Sequence, residues 1–314
     1  MTRRAPLVWT VGEPLVALVA EDHRHVEDGA MLRPYVAGSE LNVAVGLRRL
    51  GVEVVYGTAV GADPFGALVK KAIRAENITT SFIHDDPERP TGLLIKDWVG
   101  PSADPVVHYV RKDSPATRLP LLQWADLMRR SNWVHVSGIT PMLSQNNREG
   151  LAKIWPTLKG TRSLDINVRW KLGDAQAWRE CLERLIPDST LVFGSGEEFQ
   201  SLWGCDAALV RDRLHLRPDQ VVIGTEGEHG AWINIGGTVE HFPAVPTVVV
   251  DPVGAGDGLA AGVIAARLWG WEWSQAMRLG SVMGASAVAS RGDYEGYLYR
   301  DQAMAWVAGK WVSR

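Results

Sequence analysis

One stretch near the C-terminal third of the chain combines residues that can hold a phosphate group with one that can take up a proton. Residues 245–262 read VPTVVVDPVGAGDGLAAG, so a β-branched run stops at Asp251 and a glycine-rich turn leads to Asp257. The pattern predicts a strand over 247–250 and a helix that begins at the turn and includes 258–267. The unpaired N–H groups and the dipole at such a helix start attract anions.

Three known phosphate-binding designs could account for the glycine-rich turn, and only one of them uses a carboxylate such as that of Asp257. A Walker loop requires Gly-Lys-Ser or Gly-Lys-Thr, which the chain lacks, and a Rossmann fingerprint requires a glycine spacing different from 254, 256 and 258. In the third design, the turn holds a transferring phosphoryl group while a carboxylate accepts the proton of an attacking hydroxyl. We therefore predict phosphoryl transfer with Asp257 as general base and an anion hole formed by Gly254, Ala255, Gly256 and the Asp257 backbone.

The turn belongs to a chain in which short β-rich runs alternate with amphipathic helical patterns. Besides 247–250, the predicted strands are 7–11, 52–58, 133–137, 162–166, 190–193 and 221–224. The predicted helices are 41–50, 65–75, 145–158, 175–185 and 207–214. This alternation predicts an α/β fold in which helices flank a central, mostly parallel sheet. We expect residues 1–314 to form a single domain.

Two segments, 15–36 and 91–111, depart from the alternation. Both contain short alternating strands without a crossover helix, and the GPSADP sequence at 100–105 predicts a hairpin loop. Strands joined in this way predict a small antiparallel sheet outside the main one. Such a sheet can act as a lid that excludes water from a reacting phosphoryl group. The alternative is an extension of the main sheet without a functional role.

Composition excludes several classes of function. The chain has 314 residues, 46% of them hydrophobic and 22% charged, which is ordinary for a globular protein. Its formal net charge is -3 with no long basic run, so nucleic acid is not an expected partner. No apolar stretch reaches membrane-spanning length, so a membrane is not an expected partner either. Cys181 and Cys205 lack metal-ligand spacing, which favours the reducing cytoplasm. The eight histidines are also scattered without metal-ligand spacing.

The motifs resemble those of a known enzyme family. DPVGAGD followed by a small-residue helix is similar to the C-terminal signature of the ribokinase-like (PfkB) carbohydrate kinases, and AGSELNVAVGLRRLG at 37–51 is similar to their N-terminal signature. GTAVGADPFG at 57–66 resembles the segment that follows, and the likeness continues along nearly the whole chain. The resemblance implies a ribokinase-like fold, ATP as phosphate donor and Mg²⁺ as cofactor.

Four further stretches resemble the 2-keto-3-deoxygluconate kinases within that family. They are GEPLVALV at 12–19, VHVSGITPMLS at 134–144, LDINVRWKL at 164–172 and GASAVASRGDYEG at 284–296. The resemblance implies that a primary hydroxyl of a sugar acid is phosphorylated, which would convert 2-keto-3-deoxygluconate to its 6-phosphate. A sugar acid carries a carboxylate, and fixed guanidinium groups bind carboxylates well.

The resemblance assigns substrate positions along the chain. Arg111 and Arg169 would bind the carboxylate, and Tyr109 shares a strand face with Arg111. The other implied substrate positions are Gly38, Ser39, Asn42 and Asp293. The competing structural interpretations are solvated charges for the arginines, a helix start for Asn42, and a turn or helix cap for Asp293.

The resemblance also assigns nucleotide and metal positions. TEGEHGA at 225–231 resembles the loop near the triphosphate, and SGEE at 195–198 stands where many relatives carry N-x-x-E. Glu198 would contact Mg²⁺ through water, and a monovalent cation near Asp251 is left open. The implied nucleotide-binding positions are Asn167, Ser195, Thr225, Gly227, Gly230, Gly254 and Gly256.

Three positions depart from the keto-deoxygluconate kinase pattern. Leu94 stands where a tyrosine is common, Gly173 where a tryptophan is common, and Gly224 where a lysine is frequent. Two other functions therefore stay open: a kinase of a neutral sugar or nucleoside, and a non-catalytic sugar-binding regulator. We also expect a homo-oligomer that forms through the lid.

Overall fold

The computed structural model describes residues 7–20, 25–27, 29–97 and 106–309. Within them the strands, in chain order, are β1 Leu7–Val11, β2 Leu15–Ala20, β3 Leu32–Ala37, β4 Glu53–Gly61, β5 Ile83–Asp86, β6 Leu93–Asp97, β7 Val106–Val110, β8 Trp133–Ser137, β9 Thr161–Asp165, β10 Leu191–Ser195, β11 Val221–Thr225, β12 Ala231–Ile235 and β13 Thr238–Phe242. The helices are α1 Ser39–Arg49, α2 Pro64–Ala75, α3 Leu121–Arg129, α4 Ile139–Met142, α5 Gln145–Ile154, α6 Ala175–Leu182, α7 Gly196–Trp203, α8 Val210–Arg213, α9 Ala255–Leu268, α10 Trp273–Val288 and α11 Arg300–Val307. The helices predicted at 145–158, 175–185 and 207–214 are therefore shorter than expected.

The main sheet has nine strands in the order β13-β12-β11-β10-β9-β8-β1-β4-β5. The pairings from β5 to β11 are parallel, and β12 and β13 add an antiparallel edge. One apolar core lies between the sheet and α1, α9 and α10, and the other lies between the sheet and α3, α5 and α6. The predicted α/β fold with a mostly parallel, helix-flanked sheet is confirmed.

A second sheet, the lid sheet, has the strand order β3-β2-β6-β7. The β2–β3 and β6–β7 pairings are antiparallel, whereas β2 and β6 pair in parallel. The predicted small sheet is present, and it is separate from the main sheet rather than an extension of it. The hairpin loop predicted at 100–105 lies outside the described residues.

The prediction of a strand over residues 247–250 was wrong. Residues 243–249 have no regular secondary structure, and Val248 is 80% exposed. Pro243 and Pro246 lack the N–H group that a sheet ladder needs, so the β-branched run cannot extend the sheet beyond β13. The segment is tied to the end of α10 by a hydrogen bond of 2.7 Å from the Val250 nitrogen to the Val288 oxygen.

Helix α9 is rich in alanine and glycine because two helices pack closely against it. A Cβ atom on Gly262 would lie 2.7 Å from the Gly280 Cα of α10, and one on Gly46 of α1 would lie 2.6 Å from the Ala261 Cβ. This close packing fixes the N-terminus of α9 relative to α1. No helix in the described part of the chain is long and apolar enough to span a membrane.

Candidate active site

The site is a cleft of about 460 Å³ between the carboxyl ends of the main-sheet strands and the lid sheet. At its floor, Gly254 caps α9 with a φ of 86°, a conformation that favours glycine. A Cβ there would also lie only 1.9 Å from the Asp293 oxygen. The first helical hydrogen bond runs from the Gly258 nitrogen to the Gly254 oxygen, so the N–H groups of Ala255, Gly256 and Asp257 precede the ladder. This helix start can hold an anion.

Asp257 is held at the helix start by two side chains of α1. Its Oδ1 accepts a hydrogen bond of 2.7 Å from the Ser39 Oγ, and its Oδ2 accepts one of 2.7 Å from the Asn42 Nδ2. Burial raises the pKa of Asp257 to about 7, against the lowering effect of these two hydrogen bonds. A carboxyl group with this pKa can take up a proton near neutral pH.

Asp293 connects the Asp257 site to a buried ion cluster that could not be predicted from the sequence. The Asn42 Nδ2 also lies 3.4 Å from the Asp293 Oδ2, and the Lys96 Nζ of β6 lies 3.4 Å from the Asp293 Oδ1. Lys96 donates a shorter hydrogen bond of 2.7 Å to the Asp251 Oδ2. The ammonium thus stands beside Asp251, where the sequence left room for a monovalent cation.

Asp251 does not fit an exchangeable cation in this arrangement. Its Oδ2 accepts from the ammonium, and its Oδ1 accepts a hydrogen bond of 3.1 Å from the Val253 nitrogen. A second cation beside the ammonium would face like-charge repulsion in a buried site. We therefore assign no step to a monovalent ion.

Arg111 reaches the cleft from the end of β7 and is already paired with an acid. Its Nη1 lies 3.2 Å from the Oε2 of buried Glu13, and its guanidinium lies 4.9 Å from the centre of the Tyr109 ring. Burial raises the pKa of Glu13, although Arg111 opposes that shift. The buried Nη2 of Arg111 has no hydrogen-bond partner among the described residues, so it has a donor to offer a ligand.

Arg169 and Leu94 also line the cleft. Arg169 follows β9 and donates a hydrogen bond of 2.8 Å to the Val168 oxygen. Leu94 pairs with Tyr109 across the lid sheet and also lines the cleft. An apolar side chain therefore occupies the position where the resemblance leads one to expect a phenol.

A group of acidic side chains lines the opposite side of the cleft. Burial raises the pKa of Asp165 well above its usual range, and the charges of Glu198 and Asp257 raise it further. Asn167, with a φ of 45°, bridges this group to α1, because its Nδ2 donates to the Asp165 Oδ2 at 3.0 Å and to the Ser39 Oγ at 2.9 Å. These carboxyl oxygens are ligands of the kind that suits a Mg²⁺ ion bound mainly by nucleotide phosphates.

Glu198 positions two backbone segments. Its carboxylate accepts a hydrogen bond of 2.6 Å from the Val168 nitrogen and one of 2.7 Å from the Ser195 nitrogen. In return, the Ser195 Oγ accepts a hydrogen bond of 3.1 Å from the Glu198 nitrogen. This is a capping box at the start of α7. No three His, Cys, Asp or Glu side chains in the described ranges form a metal cluster by themselves. A contact of Glu198 with Mg²⁺ through water stays a prediction.

Two predicted nucleotide residues lie outside the cleft. Gly227 and Gly230 line an adjoining cavity of about 530 Å³, which shares Thr225, Ala255 and Gly256 with the cleft. Residues 244–247 and 249 form another wall of this cavity, and two of them, Thr247 and Val249, belong to the run that was predicted as a strand. All other predicted site residues line the cleft itself: Gly38, Ser39, Asn42, Tyr109, Arg111, Asn167, Arg169, Ser195, Glu198, Thr225, Gly254, Ala255, Gly256, Asp257 and Asp293.

Packing explains one of the departures from the family pattern. Gly224 pairs across the sheet with Trp232, whose ring would lie 2.1 Å from a Cβ at position 224, so a lysine does not fit there. A Cβ on Gly173 would lie 2.8 Å from the Met142 Cε, but this atom is the end of a flexible side chain that can move aside, so packing does not account for the glycine at 173. Neither glycine lines the cleft.

Comparisons with known proteins agree with this architecture. The chain matches the profile described as pfkB family carbohydrate kinase over residues 5–298. It is 30% identical to the 2-dehydro-3-deoxygluconokinase of Bacillus subtilis, over 96% of this chain and 95% of that protein. It is 29% identical to a fructokinase of Klebsiella pneumoniae, over 82% of this chain and 83% of that protein. An uncharacterized sugar kinase of Pyrococcus horikoshii, solved in complex with ATP, has a TM-score of 0.81 at 23% identity and covers 94% of this chain and 96% of its own.

Proposed function

Since the chain belongs to the pfkB family of carbohydrate kinases, we propose that it phosphorylates a primary hydroxyl of a sugar acid with ATP. The proposed acceptor is 2-keto-3-deoxygluconate, also named 2-dehydro-3-deoxygluconate, and the product is its 6-phosphate. The observation that carries this proposal is the meeting of Asp257, the α9 start and two arginines in one cleft.

The first step is activation of the acceptor hydroxyl. Asp257 accepts the hydroxyl proton as the hydroxyl oxygen bonds to the γ-phosphorus of ATP and the bond to the bridging oxygen of ADP breaks. Negative charge then spreads over the transferred phosphoryl oxygens. The N–H groups of Ala255, Gly256 and Asp257 stabilise that charge because they precede the helix ladder and point from its positive end.

Recognition of a sugar acid rests on the acceptor side of the cleft. The Arg111 Nη2 and the Arg169 guanidinium would bind the carboxylate and its neighbouring oxygen. Gly38, Ser39, Asn42, Tyr109 and Asp293 would orient the remaining hydroxyls. The similarity to the Bacillus subtilis enzyme supports this acceptor.

The nucleotide would lie across the cleft and the adjoining cavity. The phosphates would occupy the α9 start and the Thr225 side, with the base in the cavity lined by Gly227 and Gly230. A bound Mg²⁺ ion would neutralise phosphate charge, and Glu198 and Asp165, which line the cleft, would contact it through water. The ATP complex of the Pyrococcus horikoshii protein supports ATP as the donor.

A neutral-sugar kinase is the second candidate. Two observations favour it: Leu94 offers no hydroxyl contact, and Glu13 already pairs with Arg111. The sequence identity to the Klebsiella pneumoniae fructokinase, 29%, is also close to the 30% identity to the Bacillus subtilis 2-dehydro-3-deoxygluconokinase. An ADP-release assay over sugar acids, neutral sugars and nucleosides decides between them, since only a sugar-acid kinase should lose acceptor affinity selectively in Arg169→Ala.

The catalytic assignment is tested separately with Asp257→Asn. We expect kcat to fall by about 10³-fold or more, with the affinity for ATP nearly unchanged, because the amide cannot accept the proton. Asp174→Asn is the matched control, since Asp174 caps the distant helix α6 and asparagine also caps helices. Near-normal turnover of Asp257→Asn would exclude the proposed base. If none of the acceptors in the panel causes ADP release, the non-catalytic regulator is the hypothesis that is left.

We further propose that two copies associate through the lid sheet. Among the described strands, β3 and β7 form the edges of this sheet, and Val106 and Val110 on β7 are 42% and 58% exposed. Analytical ultracentrifugation of the wild type and of Val110→Lys tests this, and a monomeric wild type at assay concentration would contradict it.

A further inference from the structure

Lys96 is the most deeply buried cation of the cleft. Its side chain is 2% exposed, and its Nζ lies 2.7 Å from the Asp251 Oδ2 and 3.4 Å from the Asp293 Oδ1. Burial lowers the pKa of Lys96, but Asp293 and Asp251 outweigh this effect and the net direction is upward. The group is therefore a fixed ammonium ion between two buried carboxylates.

The two carboxylates belong to different parts of the catalytic machinery. Asp251 opens the turn that becomes the anion hole, and its Oδ1 holds the Val253 nitrogen of that turn. Asp293 lies 3.4 Å from the Asn42 amide that holds Asp257, and its backbone oxygen is packed against Gly254. One ammonium thus supports both the helix start and the base.

Lys96 also belongs to the lid sheet, through β6. Moving this strand away would withdraw the ammonium and leave Asp251 and Asp293 buried without their cation, which is unfavourable. The position of the lid and the geometry of the anion hole are therefore linked by one side chain.

We propose that the Lys96 ammonium is the built-in cation of the anion-hole turn, so that phosphoryl transfer needs no exchangeable monovalent cation at Asp251. Lys96 acts here as a positioning residue, because it reaches the reacting groups only through Asp251, Asp293 and Asn42. This inference rests on the kinase chemistry of the proposed function, but not on which sugar is the acceptor.

The first experiment uses the wild type. Turnover, and the affinity for ATP with Mg²⁺ measured by calorimetry, are compared in tetramethylammonium, potassium and ammonium chloride at equal ionic strength. We expect both quantities to change by less than about twofold, since the buried site already holds its cation. Activation of about tenfold or more by potassium would overturn the proposal, because an exchangeable cation would then be required.

The second experiment removes the ammonium in two ways. Lys96→Ala leaves space beside Asp251, so we expect kcat to fall by about 100-fold and potassium or ammonium ions to restore about tenfold of it. Lys96→Met fills the space without charge and should show the loss without the recovery. Lys70→Ala is the control, because Lys70 pairs with Asp85 at the surface and should behave as the wild type.

A failure of the Lys96 proposal can be distinguished from a failure of the proposed function. Near-normal turnover of Lys96→Met, or a folded Lys96→Ala that neither cation restores, would overturn the role of Lys96. If no sugar acid is phosphorylated, the acceptor assignment fails, while calorimetry of ATP binding still measures the cation response of the turn. Thermal unfolding shows which variants are folded, and the wild-type comparison decides the question if Lys96→Ala does not fold.

Discussion

Asn42→Ala tests whether the setting of Asp257 controls the pH dependence of turnover. The Asn42 Nδ2 donates a hydrogen bond of 2.7 Å to the Asp257 Oδ2, and this bond stabilises the charged carboxylate. It opposes burial, the main cause that raises the pKa of Asp257 to about 7. Without the amide, the charged form loses a partner while burial remains, so the pKa must rise further.

The size of the effect follows from the strength of the bond. A hydrogen bond to a charged group contributes about 1.5–3 kcal/mol, and one pKa unit corresponds to about 1.4 kcal/mol. The acid limb of kcat/KM should therefore move upward by about one to two units. Water entering the space left by the amide would replace part of the bond and favour the lower end of this range.

The measurement is kcat/KM as a function of pH, by ADP release, for the wild type and the variant with the acceptor that the panel identifies. Asn147→Ala is the control: Asn147 is also a fully buried amide, but it bonds the Ala116 and Thr140 oxygens, away from the cleft. It should lower stability without moving the limb. An acid limb that stays in place in Asn42→Ala, or moves downward, would refute the role given to this hydrogen bond.

Three further predictions follow from the cleft. A Cβ on Gly256 meets no atom within 4 Å, so Gly256→Ala should keep the unfolding midpoint of the wild type, yet weaken ATP binding by about tenfold in calorimetry because the methyl group enters the phosphate site. Leu94→Tyr should lower KM for sugar acids by up to about fivefold in the ADP-release panel, since a phenol would face the acceptor; an unchanged panel would count against that position as a substrate contact. Because the folded-state pKa of Asp257 lies above the unfolded value, the wild type should lose up to about 1.4 kcal/mol of unfolding free energy per pH unit relative to Asp257→Asn as pH rises from about 4 to 7. An unfolding free energy, measured in urea, that changes with pH equally in both proteins would contradict this.

Local chemistry made the helix start, and the place of Asp257 in it, predictable. The three glycines and Asp257 lie within one turn, so their meeting required no knowledge of the fold. The α/β alternation was predictable for a similar reason, since hydrophobic periodicity is read within each element. The run at 247–250 shows the limit of that approach, because its β-branched residues have strand propensity but pair with none of the described strands.

The ion pairs could not be predicted in the same way. Lys96 and Asp251 are 155 residues apart, and neither has a local pattern that identifies the other. Glu13 and Arg111 also come from different strands, so only the folded chain brings them together. Asp165 gave a weak signal, as an acid at the end of a strand close to a predicted site residue.

The pairing of Arg111 changes how the two arginines can select an acidic substrate. Glu13 neutralises much of the Arg111 charge, so what Arg111 offers a substrate carboxylate is a directed hydrogen bond from Nη2 rather than a free positive charge. Arg169 bonds only a backbone oxygen among the hydrogen bonds of the described residues, and its charge acts on Asp165 and Asp257. A carboxylate on the acceptor would feel Arg169 most strongly, because an unneutralised charge in a partly buried site is weakly screened. Discrimination between acidic and neutral acceptors should therefore depend on Arg169, whereas Arg111, rigidly held by Glu13 and Tyr109, should set the orientation of either kind of acceptor in front of Asp257.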